Sequence, residues 1–107
     1  MQQITSIPHR TLSHGIIGHY VHGDKSTLGL VILEKGSSVP AHQHPQEQIT
    51  YILEGSLQMV IDGKDCLLEQ GMYYVIPSNI VHSAVALTDC RLIDVFSPVR
   101  EDYKEQA

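Results

Sequence analysis

The sequence predicts an all-β domain, a small antiparallel sandwich or barrel. Three observations carry that expectation. Short apolar runs recur along the chain, separated by Gly, Pro and Asp turns, at the spacing of about eight strands. No stretch has the 3.6-residue apolar period of an amphipathic helix. Asp62-Gly63 lies between two of the runs, and Asp-Gly is the strongest short hairpin signal a sequence can carry.

Residues 1–15 are mixed and polar, without period, and read as a loose arm. Residues 16–21 read as a strand and 22–25 as a turn. Residues 26–34 hold Leu28, Leu30, Val31, Ile32 and Leu33 with Gly29 among them and no helix cap, so they form a strand. Residues 35–38 turn, and Val39-Pro40 leads into a histidine-rich stretch. Residues 48–53 make the next strand, and Glu54-Gly55 a tight turn. The Asp62-Gly63 hairpin joins 56–61 to 64–68, and Glu69-Gln70-Gly71 turns again. Residues 72–76 are stopped by Pro77-Ser78-Asn79. Strands over 81–87 and 90–96 follow, parted by Thr88-Asp89. Pro98 ends the last strand, and the charged tail has room for one helical turn. The expected organisation is a single domain over 1–107, with an N-terminal arm (1–25), a barrel (26–98) and a tail (99–107).

A chain of 107 residues supports one core with modest margin. A net charge of −5 with no basic run argues against a nucleic-acid partner, and no apolar stretch is long enough for a membrane helix. The start of the chain lacks the regions of a signal peptide, and Cys66 and Cys90 form no close-spaced motif. Reduced thiols and a cytoplasmic location are therefore expected. Histidine is frequent, seven in all, and His9, His14, His19 and His22 crowd the first 22 residues. Solvent exposure is the expectation for these four.

The chemistry concentrates in Ala41-His42-Gln43-His44-Pro45-Gln46-Glu47-Gln48. In an extended strand, residues two apart share a face, so His42 and His44 point together. Imidazole suits Zn, Cu, Fe and Ni. His82, after Pro77-Ser78-Asn79, is the third imidazole if its strand lies beside the one carrying His42 and His44. Gln48 adds an oxygen ligand and leaves one or two coordination positions open, the mark of a catalytic rather than a structural site. Glu47 and Gln48 cannot both point inward, and the spacing favours Gln48.

This framework resembles the two motifs of the cupin superfamily. Gly36, five residues, His42-Gln43-His44, three residues, Gln48, six residues and Gly55 follow the first. Gly71, five residues, Pro77-Ser78-Asn79, two residues, His82, three residues and Ala86 follow the second. Gln48, Asn79 and Ala86 replace the usual Glu, Gly and Asn. Asn79 is easily tolerated, because Asn also adopts positive φ.

Beyond the motifs, Asp94 is a charge inside an apolar strand. Alternation puts it on one face with Phe96, and Ile93 and Val95 on the other. From about Gly36 to Tyr103 the chain looks like the KdgF family of pectin-degradation proteins. The shared features are His-x-His-Pro-x-Glu-Gln-Ile-Thr-Tyr-Ile-Leu-Glu-Gly, Pro-x-Asn-x-x-His-Ser and Asp-Val-Phe-Ser-Pro-Val-Arg-Glu-Asp-Tyr. The resemblance implies one divalent transition metal (Ni, Zn, Fe, Mn or Co) on His42, His44, Gln48 and His82. It implies further functional residues at Asp94, Phe96 and Arg100. The implied reaction is ring opening of 4,5-unsaturated monouronates, left by pectin or alginate breakdown, to the linear 5-keto-4-deoxyuronate. Asp94 would move protons, Arg100 would meet the carboxylate of the sugar acid, and Phe96 would pack on the ring. The rival readings are a cupin dioxygenase or another isomerase, and a non-catalytic small-molecule-binding module.

With Gln48 and His82 inward, Ile49, Tyr51 and Leu53, then Val81, Val85 and Leu87, then Ile93 and Val95 face outward. An apolar outer face on three strands needs a cover, which predicts a homodimer or a covering N-terminal arm.

Overall fold

The computed structural model describes residues 1–104; the last three residues of the predicted tail lie outside the described residues. Among the described residues, ten strands form two antiparallel sheets. They are β1 (Arg10–Ser13), β2 (Ile16–His22), β3 (Thr27–Leu33), β4 (Ser38–His42), β5 (Glu47–Glu54), β6 (Ser56–Ile61), β7 (Lys64–Glu69), β8 (Tyr73–Ile76), β9 (His82–Ala86) and β10 (Cys90–Ser97). The larger sheet runs β1-β2-β3-β10-β5-β8 and the smaller β4-β9-β6-β7. The two pack face to face as a jelly roll, and no strand pairing closes one sheet onto the other.

Two expectations about the chain's early part are corrected. Residues 1–15 are not all a loose arm, because Arg10–Ser13 forms β1 on the larger sheet; the strand expected over 16–21 is β2, which pairs with β3 in register from Ile16↔Leu33 to His22↔Thr27 and brings the arm drawn over 1–25 into that sheet. Val39-Pro40 is not merely a lead-in, because Ser38–His42 is a strand and ends at His42, with His44 in the following turn. The remaining predicted strands fall within a residue or two of the observed ones. Asp62 (φ 53°) and Gly63 (φ 75°) take the paired positive φ of a type I′ hairpin. Asn79 sits at φ 61°, where the motif usually has Gly. Cys66 and Cys90 are free thiols. No helix among the described residues is long and apolar enough to cross a membrane.

Cross-strand register sorts the interior into layers. On the inner face of the larger sheet, His22, Thr27, Phe96, Gln48 and Ile76 lie in one row. The next row is Tyr20, Gly29, Asp94, Thr50 and Tyr74. The third, Gly18, Val31, Leu92 and Ile52, is wholly non-polar. In the smaller sheet His42, His82 and Ile61 share a row, followed by Val39, Ala84 and Met59, then Ala86, Leu57 and Leu68. Val31, Leu33, Ile52, Leu57, Met59, Leu92 and their neighbours form one buried cluster at the apolar end. The interior thus grades from hydrophobic core to polar chamber along each strand.

Candidate metal centre

Each histidine reaches the chamber from a different local structure. His42 ends β4, His82 begins β9, and the two are direct cross-strand partners. His44 stands in the turn before β5. Its carbonyl accepts the Asn79 N–H at 2.8 Å, which ties the two histidine-bearing segments together. The ring centroids lie 5.7 Å (His42–His44), 4.3 Å (His42–His82) and 5.0 Å (His44–His82) apart. One nitrogen from each falls within 4.8 Å of the others.

The tautomers are set by the backbone. His42 Nδ1–H donates to the Pro40 carbonyl at 2.9 Å, His44 Nδ1–H to Gln46 at 2.9 Å and His82 Nδ1–H to Ile80 at 2.8 Å. A carbonyl only accepts, so each Nδ1 carries the proton and each neutral ring keeps its lone pair on Nε2. Burial lowers the His44 pKa and pushes that of His82 down to about 4, which favours neutral imidazoles. His82 Nε2 is buried with no hydrogen-bond partner.

Gln48 brings its Oε1 to 3.0 Å from His44 Nε2, while its Nε2 donates to Thr50 Oγ1 at 2.9 Å and Asp94 Oδ1 at 3.2 Å. With the amide hydrogens committed to Thr50 and Asp94, an oxygen lone pair faces an imidazole lone pair. A cation between them resolves that opposition. His42, His44, His82 and Gln48 therefore fit one divalent transition metal. Gln48 is buried and Glu47 exposed, in keeping with the expected alternation.

Asp94 is the cross-strand neighbour of Thr50, whose hydroxyl donates to its Oδ1 at 2.7 Å. It is 9% exposed, and burial raises its carboxyl to a pKa of about 6, opposed by the bonds from Thr50 and Gln48 and by the charge of Arg100. Phe96 stands one inward position further along β10, its ring 5.6 Å from that of His44.

Arg100 is no part of a solvated tail. Its side chain is 7% exposed. Its backbone N–H donates to Thr27 Oγ1 at 3.0 Å, and the preceding carbonyl, of Val99, accepts Gln46 Nε2–H at 3.2 Å. Its guanidinium lies 4.7 Å from the centroid of Phe96 and 3.8 Å from that of Tyr103. Asp102 takes one edge of the fork, at 3.1 and 2.9 Å, and that bonding holds the Asp102 carboxyl below its ordinary pKa. The helical turn expected in the tail is the 3₁₀ turn Glu101–Tyr103.

His42, Gln48, His82, Asp94, Phe96 and Arg100 all line one cavity of about 240 Å³. Tyr20, Thr50 and Tyr103 line it too, and the sequence reading gave none of them a role. Thr50 and Tyr20 could have been found by alternation from Gln48 and Ile16, had the pairing of β2, β3, β10 and β5 been known. Of the N-terminal histidines, His9 and His14 are exposed as expected. His19 is buried instead, with Nδ1 2.7 Å from the Ile7 carbonyl, and His22 meets Thr27 Oγ1 at 2.9 Å. None of the four joins the metal cluster.

The structure is a two-sheet jelly roll in which three histidines that could hold a metal ion converge at one end. The cupin domain family matches residues 29–96, and the chain belongs to that family. Within it, the chain is 38% identical to the pectin degradation protein KdgF of Dickeya dadantii (strain 3937) over 82 residues, 75% of this chain and 74% of that one. The structure of KdgF from Halomonas sp. superposes with a TM-score of 0.85 at 29% identity, covering 92% of this chain and 93% of that one. An RmlC-like cupin from Shewanella frigidimarina NCIMB 400 gives a TM-score of 0.89 at 26% identity, covering 96% and 94%.

Proposed function

We propose that this protein is a metal-dependent enzyme that linearises 4,5-unsaturated monouronates from pectin or alginate breakdown. The observation that carries the reading is the meeting of two sets of groups in one cavity. Imidazoles and an amide oxygen suited to a divalent cation face a buried carboxylate, a phenyl ring and a guanidinium. Similarity to KdgF proteins supports the same chemistry.

The reaction is a net isomerisation. The bond between C1 and the ring oxygen breaks, C1 becomes the aldehyde, the freed C5 oxygen is an enol, and C4 gains a proton as that enol becomes a ketone. A divalent ion, when bound, supplies Lewis acidity toward substrate oxygens. Asp94 moves the proton, a role typically worth ~10²–10⁴ in rate. Thr50 and Gln48 hold its Oδ1 and so fix the carboxylate's orientation. Arg100 meets the uronate carboxylate through the guanidinium, and Phe96 packs against the ring.

The test is incubation of the metal-loaded protein with lyase-generated unsaturated monouronate. The enol-ether ultraviolet absorbance should fall at the same rate with and without dioxygen. Dependence on dioxygen would make the protein an oxygenase instead, and unchanged absorbance would remove the uronate reading.

The working form we propose is a homodimer. The outer face of the larger sheet carries Val21, Leu28, Val95, Ile49 and Val75 in one cross-strand row, and Leu30, Ile93, Tyr51 and Tyr73 in the next. Most of these side chains are exposed, and a second copy would cover them. The expected three-strand face is corrected in detail: Val81, Val85 and Leu87 lie on or beside β9 in the other sheet, so they form a separate patch.

A further inference from the structure

Gly18 and Gly29 occupy mid-strand positions on β2 and β3, where glycine weakens a strand and nothing in the backbone asks for it. Neither adopts positive φ, unlike Gly15, Gly36, Gly55, Gly63 and Gly71. What both positions need is room. A Cβ on Gly29 would stand 2.5 Å from Tyr20 Cε1 and 2.7 Å from Cδ1. A Cβ on Gly18 would stand 2.5 Å from the Tyr20 hydroxyl oxygen and 2.6 Å from Cζ. The Tyr20 ring therefore lies down across the backbone of two strands instead of standing up into the cavity.

Its place in the cavity gives that posture a use. Tyr20 pairs with Gly29, and Gly29 pairs with Asp94, so a residue without a side chain separates the tyrosine from the carboxylate. Tyr103 closes the other side, its ring centroid 4.7 Å from that of Tyr20 at 57°. Were the ring upright, it would fill the space beside Asp94. Lying flat, it gives that space an aromatic wall, the surface on which the C–H face of a sugar ring packs.

We propose that Tyr20, laid flat over Gly18 and Gly29, is the ring-stacking wall of the ligand subsite and a determinant of its specificity, and that the two glycines keep it flat. The proposal rests on the uronate reading above. The ring acts and the hydroxyl does not, and the glycines act only through the ring.

The experiment is a kinetic cycle on the metal-loaded protein with unsaturated monouronate, with metal content and circular dichroism measured for every variant. Tyr20→Leu should raise KM at least tenfold with kcat changed less than threefold. Tyr20→Phe, which keeps the ring, should recover most of the KM lost in Tyr20→Leu. Gly29→Ala, which lifts the ring, should also raise KM at least tenfold. In the Tyr20→Leu background the same alanine should cost less than twofold, because no ring remains to be displaced. An unchanged KM in Tyr20→Leu, or a Gly29→Ala penalty of equal size in both backgrounds, overturns the inference while leaving the reaction standing. If Gly29→Ala does not fold, the KM of Tyr20→Leu against Tyr20→Phe decides alone. A wild type without turnover overturns the uronate reading, and this inference with it.

Discussion

Asp94 is held where a carboxylate is least comfortable, buried, with hydrogen bonds to one oxygen from Thr50 and Gln48. Its folded pKa of about 6 lies above the unfolded value. In the metal-free protein its contribution to stability is therefore most favourable below about pH 4 and falls as pH rises toward about 6. Asp94→Asn removes the buried charge and keeps an acceptor for both donors. Its metal-free form should melt higher than wild type at neutral pH, by an amount on the order of 2 kcal/mol. The same variant should retain metal and lose turnover ~10²-fold or more; wild-type turnover would take Asp94 out of the mechanism. His82→Ala should abolish the rise in Tm that divalent metal gives the wild type, which reflects a stabilisation of about 2.7 kcal/mol at a metal concentration 100 times Kd. Gln48 is the residue whose meaning changes most between sequence and structure. In the sequence it reads as a neutral exchange for a motif glutamate. In the structure a glutamate there would set a second carboxylate against Asp94, whereas the amide offers oxygen to the histidines and hydrogen to the aspartate.

At the scale of elements, the histidines depend on turns as much as on strands. Asn79 at φ 61° binds the turn before β9 to the His44 carbonyl. Asn79→Gly should be close to neutral, while Asn79→Val forces a β-branched residue into the left-handed region at a cost of about 1–2 kcal/mol or more. Thermal melts should rank the variants that way, and metal affinity should fall with Asn79→Val. Most strands were legible because one face is buried and the other wet, so alternation marked them, as in Glu47–Glu54. Ser38–His42 gave no such mark. It is an edge strand, it contains Pro40, and none of its side chains is fully buried. Arg10–Ser13 is likewise a short edge strand of four residues. Tyr20 was illegible for a different reason. Its role depends on cross-strand register with Gly29 and Asp94, and one sequence does not encode pairing locally.

For the whole molecule, the outer rows of the larger sheet set the expected assembly. Ile49→Lys places a charge within the five-strand row and should convert a dimer into a monomer, read by light scattering at micromolar concentration. A wild type that scatters as a monomer would count against the dimer. The layered interior also explains why motif residues and core residues alternate so regularly. On β5, β9 and β10 chemistry and packing share the same strands and differ by their distance along them, whereas His44 stands outside any strand.

The last strand has a consequence for how the protein is made and unmade. Every imidazole, Gln48, Asp94 and Phe96 lie before Pro98, while Arg100 and Tyr103 reach the cavity from the short turn beyond it. The proposed metal ligands and the proposed carboxylate-binding guanidinium thus lie on opposite sides of Pro98. Under the proposed function, a nascent chain still short of Arg100, or one trimmed back to Ser97 by a carboxypeptidase, would keep the four residues proposed to hold an ion, with Tyr20, Asp94 and Phe96, and lack the guanidinium that would meet the carboxylate of a sugar acid.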